Sequence, residues 1–197
     1  MVLALGPFFI GLGCIVTPPE PGEVWDTWQK GLANPQDTFD SFLVALRGEI
    51  LAAEYRCFSS DWKSRNGISQ VGYREFRDEL MAKEPHLIWA LSKAETQVEM
   101  GSAPHQATVW ASIPCADEGQ LIAFHLIQEA YMEVRTPARR LVSEPIRGVA
   151  AHMRHDTDQD LLFAWIPVGE ISKEAPVSSF RLETEWRIDR IEFRYAE

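Results

Sequence analysis

A chain of 197 residues with 46% hydrophobic residues and seven Trp is long enough to bury a core and too apolar to be disordered. Its net charge of −10 repels phosphate backbones, and the densest basic stretch, Arg135 to Arg140, holds only three Arg, which excludes nucleic acid as a partner. The three Cys form no C-x-x-C pair, so zinc ribbons and thioredoxin-type sites are excluded too.

Met1 to Val16 carries no charge and is almost wholly apolar or Gly. A membrane-spanning helix needs about 20 such residues. This run is shorter and suits the hydrophobic region of a signal peptide, although no basic residue precedes it. It ends in Gly11-Leu12-Gly13-Cys14, followed by Thr17-Pro18-Pro19-Glu20-Pro21-Gly22. A small residue before Cys and then a Pro-rich stretch resembles the lipobox of bacterial lipoproteins, with Gly11 where Leu, Val or Ile is usual. The resemblance implies lipidation of Cys14 and export to the cell envelope. The alternative is an apolar segment docked on a cytoplasmic domain. Cys57 and Cys115 remain, as two buried free thiols or, in an exported chain, as a disulfide.

Residues 17–36 are expected to form a Pro-rich tether and a short helix. Thr17 to Glu23 has no means of regular structure, while Trp25 and Trp28 at helical spacing make Val24 to Leu32 a short helix or a clasp on the core. The spacing of Phe39, Phe42, Leu43, Leu46, Ile50 and Leu51 then predicts one long amphipathic helix. Asp37 or Thr38 caps it, and it runs to about Tyr55 or Phe58. Ser59 to Gly67 is a polar loop with an Asn66-Gly67 turn. Ser69 caps a second helix with Tyr73, Phe76, Arg77 and Leu80 on one face, and His86 to Ala94 is a third with Leu87, Ile88 and Leu91 inward.

Beyond Ala94 the pattern becomes strand-like. Ala94 to Met100 and Gln106 to Ile113 predict a hairpin. Gln120 to Val134 fits a strand with Ile122, Phe124, Leu126, Ala130, Met132 and Val134 on one face, although a helix would also be partly amphipathic. Ile146 to Met153 and Leu161 to Val168 predict a second hairpin around a polar tip, Arg154 to Asp160. In the last strand, Ser179 to Tyr195, Phe180, Leu182, Trp186 and Ile188 share a face, but Ile191 and Phe193 fall one register off. That slip predicts a bulge near Asp189-Arg190.

Helices first and an antiparallel sheet after them make an α+β order. The segments Phe42 to Gly48 with Ala52-Ala53-Glu54-Tyr55, then Tyr73-Arg74-Glu75-Phe76, then Glu185-Trp186-Arg187-Ile188-Asp189 resemble the first helix, second helix and closing strand of the NTF2-like (SnoaL-like) superfamily. The resemblance covers Asp37 to Phe193 and implies one domain over 37–197, a cone of N-terminal helices packed on a strongly curved antiparallel sheet. Such domains include isomerases, dehydratases, ligand binders and catalytically silent partners, and many pair as homodimers through the outer sheet face, so fold does not deliver function.

Two clusters compete for chemistry. Around the second hairpin tip, His152, His155 and Asp156, with Asp158 and Asp160, are weak candidates for a metal. The run also resembles the start of a calcium loop, but Leu161 stands where Gly is needed and Pro167 where Glu is needed, so a solvated turn is the simpler account. The second set follows from the cone, whose pocket takes a general base from helix and strand residues. His125, sharing a strand face with Glu129 and Tyr131, is the first choice, with Tyr55 as phenolic donor. Neither a Gly-rich phosphate loop nor a nucleophile elbow is present, and no cofactor is expected. The expectation is a non-enzymatic, envelope-tethered module binding a small apolar ligand or a protein partner. The alternative is a small-molecule isomerase or dehydratase working around His125.

Overall fold

The computed structural model describes residues 16–113, 120–137, 152–156, 161–167 and 179–194. Its first helix, α1 (Pro21–Lys30), starts inside the expected tether, because Pro21 presets the helical φ at the first position. The residues before it are not free either. Thr17 O accepts Arg47 Nε at 3.2 Å, and Pro19 lies so close to Gly48 that a Cβ there would meet its ring at 3.2 Å. Trp25 and Trp28 of α1 do not clasp the core: both are exposed.

Asn34, rather than Asp37 or Thr38, caps α2 (Pro35–Arg47): its side chain accepts the Asp37 amide at 2.9 Å. The single helix expected to reach Tyr55 or Phe58 is two. Gly48 ends α2, Glu49 takes φ 55°, and the Ile50 and Glu49 amides fold back on Ala45 O and Leu46 O before α3 (Leu51–Arg56) begins. This is a Schellman ending with Glu where Gly is usual. The expected loop at Ser59 to Gly67 is a helix, α4 (Ser60–Asn66). Ser59 Oγ caps the Trp62 amide at 2.9 Å, and Gly67, at φ 63°, supplies the left-handed stop. Ser69 closes only the turn before α5 (Tyr73–Lys83), and α6 (Leu87–Lys93) follows.

Six strands follow among the described residues: β1 (Glu95–Met100), β2 (Gln106–Ile113), β3 (Gln120–Pro137), β4 (His152–Asp156), β5 (Leu161–Pro167) and β6 (Ser179–Arg194), all paired antiparallel. The long β3 organises them. β6 follows one side of it from Leu121 to Arg135; β2 takes the other side over Gln120 to Ile127 and β5 over Tyr131 to Pro137. Among the described residues the sheet is therefore four strands wide at either end, β1-β2-β3-β6 and β4-β5-β3-β6. Helices packed on an antiparallel sheet make the architecture α+β. The bulge is where the slipped alternation predicts it: His125 pairs with Arg190 and Leu126 with Ile188, leaving Asp189 over.

Aromatic rings meet at the centre of a mostly aliphatic core. Phe39 and Phe42 meet Phe124 of β3 at 5.0 and 6.0 Å between ring centres, and Phe58 stacks on Trp62 at 4.1 Å. Phe58 sits in the α3–α4 link, which adds to β6 as a one-residue parallel bridge. Ser59 N donates to Ile188 O and Ile188 N to Cys57 O, at 2.9 and 2.8 Å. That link and the Leu32 carbonyl, which accepts the Trp186 amide, close the outer edge of β6 here. Ala130, expected inward, is exposed with its partner Thr184, since the helices cover Ile122 to Leu126 and not this part of β3.

Candidate functional site

Alternation along β3 decides where His125 goes. Ile122, Phe124 and Leu126 are buried under the helices, so His125 projects from the opposite face. Its cross-strand neighbours there are Thr108 and Arg190. Nδ1 lies 3.2 Å from Thr108 Oγ1 and Nε2 lies 3.1 Å from Glu192 Oε2. Two hydrogen bonds of this kind fix the imidazole plane. The His125 bond and, after it, the Arg194 guanidinium hold the Glu192 carboxyl below its ordinary range. Arg194 in turn lies over the Trp110 ring at 5.0 Å.

Beside His125 opens a cleft of about 460 Å³, lined among others by Arg65, Gln106, Thr108, Asp189 and Arg190. The bulge builds one wall. Displaced from the regular ladder, Asp189 reaches α4, where Oδ1 accepts Ser59 Oγ at 2.7 Å and Arg65 Nη2 at 2.8 Å. Arg65 also donates to Asp189 O at 2.9 Å and so is held at the cleft. At the hairpin end, Gly101 permits a close approach: a Cβ there would meet Gln106 Cβ at 2.9 Å. Asp189 engages Arg65, and Glu192 beside the cleft holds His125 and lies 3.8 Å from Arg190 Nη2. Arg190, 64% exposed, is the guanidinium best placed to meet an anionic or carboxylate-bearing ligand.

The other expected partners of His125 are elsewhere. The Glu129 carboxylate accepts the Ser60 amide at 2.7 Å and Ser60 Oγ at 3.3 Å, so it caps α4. Four residues of strand put its Cα about 13 Å from that of His125. Tyr55 lies in the helical layer, donating to Ile68 O at 3.0 Å, with its ring 5.6 Å from Tyr73 and Lys63 above it. The backbone of Tyr131 pairs with Pro167 and Glu183, but its side chain lies outside the described residues. His152 lies on strand β4 as expected, and His155 and Asp156, expected in the hairpin tip, continue that strand; their side chains, like all of Asp158 and Asp160, lie outside the described residues. So do Cys14 and Cys115. Among the described residues no group of His, Cys, Asp or Glu gathers as a metal site. Cys57 is a free, buried thiol whose pKa burial pushes up to about 11, which makes it unreactive.

On the helix side of the sheet the polar groups serve one another. Glu54 is wholly buried, accepting Arg77 Nε at 3.0 Å and Tyr73 Oη at 3.2 Å, while Arg77 Nη2 donates to Leu46 O. Burial pushes the Glu54 carboxyl upward against the pull of Arg77, and burial with the Glu54 charge pushes the Tyr73 phenol upward. The network ties α3 to α5 and to the end of α2. Thr108, Arg190 and Glu192 escaped the sequence reading because only the strand register places them beside His125. The signal for Asp189 was there, in the slipped alternation, but it pointed to a bulge and not to a wall. No family model, curated protein or solved structure matches the chain.

Proposed function

We propose that this protein is a non-enzymatic binding or interaction module, an NTF2-like cone held at the cell envelope through Cys14. The non-enzymatic half rests on the packing of the helix-facing side of the sheet. The NTF2-like resemblance would place a polar catalytic pocket there, yet Phe39, Phe42, Phe58, Trp62 and Phe124 fill that side ring against ring. Its polar groups, Glu54, Tyr73 and Arg77, are turned to one another. The envelope half is supported by the uncharged run ending in Gly13-Cys14.

The ligand best suited to the cleft on the other face is small and carries a carboxylate, in place of the apolar ligand that the aromatic content alone suggests. One observation favours the enzyme as a second reading: His125, at the cleft, is held between Thr108 and Glu192 as an oriented base would be. Titration with a panel of small mono- and dicarboxylates, followed through the His125 ring resonances by NMR, separates the two. The module predicts saturable shifts that vanish in Arg190→Ala, with every ligand recovered unchanged. Turnover abolished by His125→Ala would overturn it in favour of the enzyme, and an unresponsive ring would remove the cleft as a ligand site. Intact mass of protein from the host's membrane fraction tests the anchor: a diacylated chain starting at Cys14 is expected, and an unmodified one sinks it.

A further inference from the structure

Helix α1 is amphipathic the wrong way round. Successive residues turn by about 100°, which sets Thr27 and Glu23 on one side and Pro21, Trp25 and Trp28 on the other. The polar side faces the body: Thr27 is buried and Glu23 pairs with Arg47 of α2. The apolar side faces away, with Trp25 61% and Trp28 59% exposed. A helix resting on a core turns its apolar residues inward, so this one presents them to something outside the domain.

The chain itself says what that is. The uncharged run Met1 to Val16 joins the described fold immediately before α1. It is given no slack, because Thr17 is already bonded to Arg47 and Pro19 packs on Gly48. Four residues, at most about 14 Å of extended chain, lead from Thr17 to the start of α1. A surface that takes up the apolar run therefore lies against this helix. Indole rings favour the layer between acyl chains and water. Asp26, next to Trp25 in the chain, and Glu20 at the start of the helix are exposed and disfavour anionic headgroups, which leaves a zwitterionic one.

We infer that the Pro21–Trp25–Trp28 face of α1 rests in the interfacial layer of a zwitterionic phospholipid bilayer, seating the domain on the lipid in one orientation. The inference rests on the envelope reading and replaces its loose tether with a fixed contact. The test uses full-length protein recovered from host membranes and reconstituted into phosphatidylcholine vesicles with brominated acyl chains, which quench nearby Trp emission. Wild type is expected to be quenched. Trp25→Phe/Trp28→Phe, which keeps the apolar face and removes the reporters, is expected to pellet equally with the vesicles and lose more than half of the quenching. Equal quenching of both proteins, or an unquenched wild type that still pellets, overturns the contact and leaves the anchor standing. Quenching lost in the double variant of a chain whose mass shows no acyl groups supports the contact and removes Cys14. Failure to pellet overturns both. A dimer in sedimentation that depends on Trp25 and Trp28, without quenching, assigns the face to a second copy and overturns the lipid.

Discussion

Glu54 has its carboxylate shut away from water, and Arg77 is the cation beside it. Removing one member of a buried pair costs more than the pair contributes, because the remaining charge stays desolvated. Arg77→Met is expected to lose about 3–5 kcal/mol at pH 7, measured by urea unfolding. The pH dependence has a definite sign. With its folded pKa raised above the ordinary 4.5, Glu54 binds more protons in the native state than in the unfolded one across that window. Its contribution is thus present below pH 4.5 and lost as pH rises through the folded value, and without Arg77 the window widens upward. The deficit of Arg77→Met should accordingly shrink toward pH 4, and a deficit independent of pH would show that Glu54 is not the group left exposed to the penalty. On the solvent face the opposite shift is testable. Glu192 should titrate below 4.5 by NMR in the wild type and move back toward it in His125→Ala.

Two elements depart from regularity, and each departure has a consequence. Glu49 holds the left-handed position of the Schellman ending, a conformation costing an L-residue about 1–2 kcal/mol. Glycine adopts it freely but loses more chain entropy on folding. Glu49→Gly is therefore expected to raise stability by about 0.5–1 kcal/mol in thermal or urea melts; a loss would mean that the Glu49 side chain stabilises this turn. The β6 bulge is the other. Asp189 is its extra residue and the acceptor for the wholly buried Ser59 hydroxyl. Asp189→Ala is expected to cost about 1–3 kcal/mol, with Asp189→Asn recovering part of it through its remaining carbonyl oxygen. Arg65, half-exposed, adds little to this stability. Its loss of Asp189 should instead appear in the cleft, as weaker carboxylate binding.

At the scale of the molecule the aromatic residues divide into two populations. Phe124→Ala, in the centre of the helix–sheet interface, should cost about 3–5 kcal/mol. Trp25→Ser/Trp28→Ser should stay within about 0.5 kcal/mol of wild type, because more than half of each residue stays exposed in the fold. Comparable losses from the two would place α1 inside the cooperative core. Much of this architecture was legible in the residue order. The period of the apolar residues located α2 and α5, the alternation located β3 and β6, and the slip between Ile188 and Ile191 located the bulge, because these signals depend only on local geometry. Polar segments were harder to classify. Ser59 to Gly67 reads as a loop until Ser59 and Gly67 are recognised as the two caps of α4, a short helix whose Trp62 is held by Phe58 and Phe76. The candidate site was legible in one residue only. His125 can be chosen from its place on a strand, but Thr108, Arg190 and Glu192 reach it through strand register, and Arg65 is held at the cleft by Asp189, 124 residues further along the chain. Local chemistry determined which segments are helices and which are strands. Alternation along β3 also set which of its faces is buried; tertiary packing decided what meets the other face, giving Glu129 a helix to cap and His125 an open cleft, and it kept Tyr55 in the helical layer.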